Sequence, residues 1–185
     1  MQKPLLLAVL IMAGVSAVTP VRSETFSYKT TPLYSSIKNF KNNNPEFSCL
    51  VVKGLGVCTS HNSTYGEQAA KEIKAEFFNN KLLNVEITIG GLYINVMHLS
   101  SKQLLDGLTK KYGMPTTKDL VDDSIPAIKS TSSIWRKHSD ILELDTLENK
   151  ISTGLDNHVI FVRIFSKDYE KIHDKFFAEL RQNDL

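Results

Sequence analysis

Cysteine is nearly absent from this 185-residue sequence: Cys49 and Cys58 are the only two. That is too few for a thiolate metal cage or a disulfide-dense scaffold, and their spacing is not the C-x-x-C of a redox pair. The five histidines, His61, His98, His138, His158 and His173, form no H-x-x-x-H, H-E-x-x-H or H-x-H pattern, so local metal chelation has no support. No G-x-S-x-G turn is present, and Gly54-Leu-Gly56 and Gly90-Gly91 complete no phosphate-cradling loop. No cofactor is implied. Charge of one sign is also lacking. Beyond residue 23 there are twenty basic and twenty acidic side chains, which argues against nucleic acid as a partner.

Long apolar runs are missing except at the start. Lys3 precedes an apolar stretch from Leu5 to Val18, and small residues follow as far as Ser23. This has the form of a secretory signal peptide over residues 1–23, cut after Ser23 or, alternatively, after Ala17. The stretch is too short, and too soon broken by Pro20, for a membrane span. No cysteine follows it to carry a lipid. Residues 24–185 are then expected to be one soluble domain, periplasmic or secreted, without a stable membrane anchor. Export in turn makes a Cys49–Cys58 disulfide the expected state of the two cysteines.

What the sequence does contain is strand periodicity. Ile73, Ala75 and Phe77 alternate with Glu72, Lys74 and Glu76; after Asn79-Asn80, Leu83, Val85, Ile87 and Ile89 alternate with Asn84, Glu86 and Thr88. This predicts a hairpin with Ala75 facing Val85, Ile73 facing Ile87, Lys74 facing Glu86 and Phe77 facing Leu83, around a three-residue loop, Asn79 to Lys81. A second hairpin turns at Lys53-Gly54 and pairs Val52 with Leu55, Leu50 with Val57 and Cys49 with Cys58. Three more strands are expected at Ser133–His138, Ile141–Leu147 and Val159–Ser166. In the last, Arg163 interrupts an apolar run and requires a carboxylate, with Glu143 and Asp145 as candidates.

Three helices are expected. The first is capped at Thr31-Pro32 and carries Leu33, Ile37 and Phe40. The second starts at the box Ser100–Gln103, carries Leu104, Leu105, Leu108 and Tyr112, and stops at Gly113 and Pro115. The third runs from Asp168 to Arg181 and buries Tyr169, Ile172, Phe176, Phe177 and Leu180. Residues 116–133 read as a long exposed loop. The sum is an α+β, two-layer domain: an antiparallel sheet of about seven strands, helices on one face, and an α-then-sheet unit stated twice.

Leu105-Asp-Gly-Leu-Thr-Lys-Lys-Tyr-Gly113-Met-Pro115 followed by Trp135, and Thr64-Tyr65-Gly66 ahead of Phe78-Asn-Asn-Lys-Leu82, resemble patterns in small secreted proteins of Gram-negative bacteria. The helix-then-sheet layout is similar to the periplasmic SmpA/OmlA and β-lactamase-inhibitor-like α+β domains. The resemblance implies an architecture and no activity.

Aromatic and apolar residues supply the candidate site. Ile134 and Trp135 are adjacent, so they point to opposite faces of a strand, and Phe78 and Leu82 sit on the otherwise polar face of the central hairpin. Phe78, Leu82 and Trp135 on an open sheet face would grip another envelope or extracellular protein. A non-enzymatic protein-binding module, inhibitor-like in kind, is the leading expectation. The alternatives are a small envelope-acting hydrolase with His138 or His158 as base, or a small-ligand carrier.

Overall fold

The structure, a computed structural model, describes residues 25–61, 63–92, 97–120, 128–150 and 156–183. The expected signal peptide lies outside them. In chain order the elements are β1 (Ser27–Tyr28), β2 (Thr31–Pro32), α1 (Ile37–Asn43), β3 (Ser48–Val52), β4 (Leu55–Ser60), β5 (Thr64–Tyr65), β6 (Gln68–Phe78), β7 (Lys81–Leu92), α2 (Met97–Tyr112), β8 (Thr116–Leu120), β9 (Ile128–Lys137), β10 (Asp140–Lys150), β11 (Asp156–Ser166) and α3 (Tyr169–Asn183).

Nine strands form one antiparallel sheet in the order β3-β4-β6-β7-β11-β10-β9-β8, with β5 beside β6. The fold is α+β. A helix and four pathway strands occur twice, α1 before β3-β4-β6-β7 and α2 before β8-β9-β10-β11, and the last strands of the two runs pair at the centre. Among the described residues this sheet has two more strands than expected, and β1 and β2 pair with each other apart from it. One of the added strands is the short β5. The other is β8, which pairs with the lengthened β9 in the stretch read as a loop, because Thr and Ser at both positions fit a pleated edge that hydrophobic periodicity does not reveal.

Both hairpin registers hold in their bodies. Cys49 faces Cys58, Leu50 faces Val57 and Val52 faces Leu55. Ala75 faces Val85, Ile73 faces Ile87 and Lys74 faces Glu86. At the tip of the central hairpin the register departs from expectation. Phe77 faces Leu82, not Leu83, because the connection is a two-residue turn, Asn79-Asn80, with both φ angles positive at 49° and 61°. Such a primed turn matches the twist of the strands, and Asn adopts it at little cost. A bulge at Leu83 restores the outer register and turns that leucine to the face opposite Leu82.

That bulge matters because the sheet buries residues on both of its faces. On the first, α1 and α2 pack with the N-terminal segment over Phe77, Leu82, Val85, Ile87, Leu142, Val162 and Ile164. On the second, α3 lays Tyr169, Ile172 and Phe176 against Phe78, Leu83, Phe165 and Ile141. The expectation of helices on one face holds for α1 and α2 and fails for α3. An apolar strip at the tip end of the second face, created by Phe78, the bulged Leu83 and the two-sided β11, is what α3 covers. Phe177, expected to be buried, is exposed.

Helix ends also shift. Thr31-Pro32 forms β2, and Ser36 is the N-cap of α1, its hydroxyl accepting from the Asn39 amide at 3.2 Å. α2 begins at Met97, ahead of the Ser100–Gln103 box, and ends as expected at Gly113, whose φ is 91°.

The Cys49–Cys58 disulfide forms between facing residues of β3 and β4, and no free cysteine remains. It closes a loop with a sequence separation of 9. Replacing both cysteines by serine is expected to lower stability by at most about 3 kcal/mol. Urea unfolding of the oxidised protein beside the double variant checks this, and a larger loss would mean that β4 depends on the bridge for its pairing.

Candidate functional site

The three residues expected to form the gripping face are core residues. Leu82 is fully buried on the first face. Phe78 lies beneath α3, its ring edge-on to Phe176 at 5.6 Å between centroids and to Tyr169 at 6.1 Å. Trp135 packs on the first face, and its indole Nε1–H donates to the Gly113 carbonyl at 2.7 Å. The two-residue turn pairs Phe78 with Lys81 and Phe77 with Leu82, which puts Phe78 and Leu82 on opposite faces, and the open face itself exists elsewhere.

α3 covers only the hairpin-tip end of the second face. Over the rest, side chains of β6, β7, β11 and β10 stand uncovered and line a concavity of about 720 Å³ that includes Lys74, Glu86, Asp145, Phe161, Arg163 and His173. Phe161 is 41% exposed at its centre. Leu147, 36% exposed, is its diagonal neighbour, since Asp145 faces Phe161 and Leu147 faces Val159. Strand alternation produces this row: Val159, Phe161 and Arg163 point to the second face while Ile160, Val162 and Ile164 enter the core.

Charge surrounds the apolar centre. Arg163 lies 3.6 Å from Glu143, 3.7 Å from Glu86 and 3.8 Å from Glu170 at the start of α3, with its guanidinium 4.4 Å above the Phe165 ring. Glu143 therefore holds the partner role expected for it. Acidic groups outnumber basic ones here: Glu86, Glu143, Asp145, Glu170 and Asp174 stand against Lys74, Arg136 and Arg163. Burial raises the Glu143 carboxyl above its ordinary range. Arg163 pulls it down, but the nearby Asp145 and Glu170 add to the upward push.

Between this concavity and α3 sits a buried polar cluster. Tyr169 donates its hydroxyl to Glu76, Asn84 donates from Nδ2 to Glu76 at 2.9 Å and to Glu86 at 3.1 Å, and Lys74 lies 2.6 Å from Glu76. Burial opposes the Glu76 charge, yet the bonds from Lys74, Tyr169 and Asn84 outweigh it and hold the carboxyl below its ordinary value. The Tyr169 hydroxyl is pushed up, by burial first and then by its bond to Glu76. The cluster anchors the first turn of α3 to β6 and β7, and so fixes the edge of the concavity.

The histidines do not converge. His138 occupies the β9–β10 turn with φ 47°, whereas His158 faces Glu148 at the opposite end of the β10–β11 ladder. Among the described residues no group of three His, Cys, Asp or Glu side chains is placed to hold a metal ion. No helix among them is long and apolar enough to cross a membrane. Compared with models of known families, with curated proteins and with solved structures, the chain matches none.

Proposed function

We propose that this chain is an exported, non-enzymatic module that binds another protein through the open half of the second sheet face. The carrying observation is the exposed Phe161 in a concavity ringed by charge and bounded by α3, with Leu147 diagonal to it on the central ladder. Apolar centres inside a polar rim are the arrangement that concentrates binding energy at protein interfaces. The disulfide supports an oxidising compartment, periplasmic or extracellular. The surplus of carboxylates favours a partner that presents an apolar side chain flanked by Lys or Arg.

The test uses the oxidised domain as bait in an envelope and culture-fluid extract of the source cell, beside Phe161→Ser and Leu147→Ser. Both side chains are partly exposed, so the variants should stay folded with only a modest loss of stability. A protein retained by the wild type, lost by both variants and released by moderate salt is the expected result. Retention unchanged in the two variants, or no partner at all for a folded bait, would sink the proposal.

A further inference from the structure

One end of the sheet is left open by β3. All five of its residues are exposed, Leu50 at 69%, Val51 at 57% and Val52 at 52%, and among the described residues β4 is its only neighbour in the sheet order. Natural edge strands are commonly blunted by charge, proline or a bulge. Ser48-Cys-Leu-Val-Val52 has none of these, and its pairing with β4 runs without interruption.

The hydrogen-bond phase of this edge follows from its turn. Lys53 and Gly54 both have positive φ, 49° and 87°, and form a two-residue connection. The flanking pair Val52–Leu55 is then a hydrogen-bonded pair, and alternation makes Leu50–Val57 and Ser48–Thr59 bonded pairs as well. Cys49–Cys58 falls at the closer, non-bonded position, in keeping with its Cα separation of 4.0 Å. The N–H and C=O groups of Cys49 and Val51 therefore point away from β4.

These outward groups lie one residue to either side of Leu50. We propose that β3 is a self-association edge, on which two copies of this chain pair their β3 strands antiparallel about a two-fold axis at Leu50. In that register Val51 of each copy faces Cys49 of the other and exchanges two backbone hydrogen bonds, four in all by geometry. Leu50 meets Leu50 of the second copy across the axis, on the same side of the sheet as Val57 and Leu55. No charge within either strand opposes the pairing. Carried one residue further, the register brings Lys53 of one copy towards Phe47 of the other, beside a Glu46 whose carboxylate already pairs with Lys29 at 2.9 Å, so no like charges meet at either end. The contact is isologous, so it uses the edge up and stops at two copies. The opposite edge, β8, has Lys118 and Asp119 in its sequence, which discourages growth into a filament. A five-residue edge contact is smaller than the interfaces of stable complexes, so the dimer is a weak and reversible one.

Sedimentation of the oxidised protein from low micromolar to millimolar concentration tests this, together with Val51→Pro and Leu50→Lys. Val51→Pro deletes an outward N–H and adds ring bulk without touching a bond to β4, and Leu50→Lys sets like charges across the axis. Each should weaken association about tenfold or more, with unchanged far-ultraviolet dichroism. Amide exchange read by NMR gives a second measure in the wild type: Cys49 and Val51 should slow as concentration rises, while Leu50 and Val52 stay constant. A monomer at every concentration would overturn the proposal and leave the edge to a strand of another protein. A dimer that survives both substitutions would overturn it too, because its contact would lie elsewhere.

Discussion

Trp135→Ser is expected to lower folding stability by about 3–5 kcal/mol, the range for truncating a large aromatic in a packed core. Trp135 is only 4% exposed and belongs to the cluster that joins α2 to the β7–β11 centre. Its indole also satisfies the Gly113 carbonyl just past the end of α2, so the variant leaves both a cavity and an unpaired acceptor. Melting should fall by about 10 °C, at roughly 2–4 °C per kcal/mol for a domain of this size. Phe161→Ser, by contrast, should lower stability by only about 1 kcal/mol, since Phe161 is 41% exposed and already hydrated on one side. The pair of measurements separates core from surface directly. A Trp135→Ser protein as stable as the wild type would return that residue to the surface and undo the assignment of faces.

How far these assignments were legible depends on what each segment exposes to pattern reading. The bodies of the two hairpins were readable because alternation with charged neighbours fixes which residues face inward, and a slip would bury Glu86 or Asn84 on the wrong side. The tip of the central hairpin was not. A three-residue loop and a two-residue turn with a bulge give the same outer register, and only the backbone shows that Asn79 and Asn80 both adopt positive φ. That local choice sends Leu82 and Leu83 to opposite faces and removes Leu82 from the expected surface. β8 escaped because Thr116-Thr-Lys-Asp-Leu120 has no apolar row to reveal it. The functional candidate escaped for the opposite reason. Val159 to Phe165 is apolar at nearly every position and reads as a strand covered on both sides, so Phe161 looked buried. Its shared face with Arg163, a charge set among apolar neighbours, was the available signal that this side of the strand is not wholly covered. Helix length decides that point. At about 22 Å, the 15 residues of α3 fall short of strands of 11 or 12 residues, about 36–40 Å long, and what lies beyond its contacts is open.

The buried carboxylate that anchors α3 supplies the second large effect. Glu76→Gln keeps the shape and an acceptor for the Tyr169 hydroxyl, but it removes the charge that answers Lys74 and the charge-assisted bond from Asn84. Lys74 is itself 37% exposed and is hydrated once Glu76 loses its charge, so the loss is that of charge-assisted bonds to a buried acceptor, about 1.5–3 kcal/mol. The effect must depend on pH. The Glu76 carboxyl is held below its ordinary value of 4.5 in the folded protein, so the unfolded chain binds its proton first as pH falls. The stability it contributes is complete above the unfolded value and disappears as pH drops through the folded one. Wild type and Glu76→Gln should therefore differ most at neutral pH and converge in acid. Tyr169 has the opposite sign. Its hydroxyl is raised above 10.0, so its contribution is complete below that value and is lost as pH rises through the folded one. Tyr169→Phe should flatten the alkaline limb of the stability profile. It should also move the acid limb to higher pH, because Glu76 then loses one of the donors that hold its proton off. Urea unfolding across the pH range reads all three proteins, and a Glu76→Gln deficit that persisted undiminished in acid would show that packing, not the charge of Glu76, fixes α3 to the sheet.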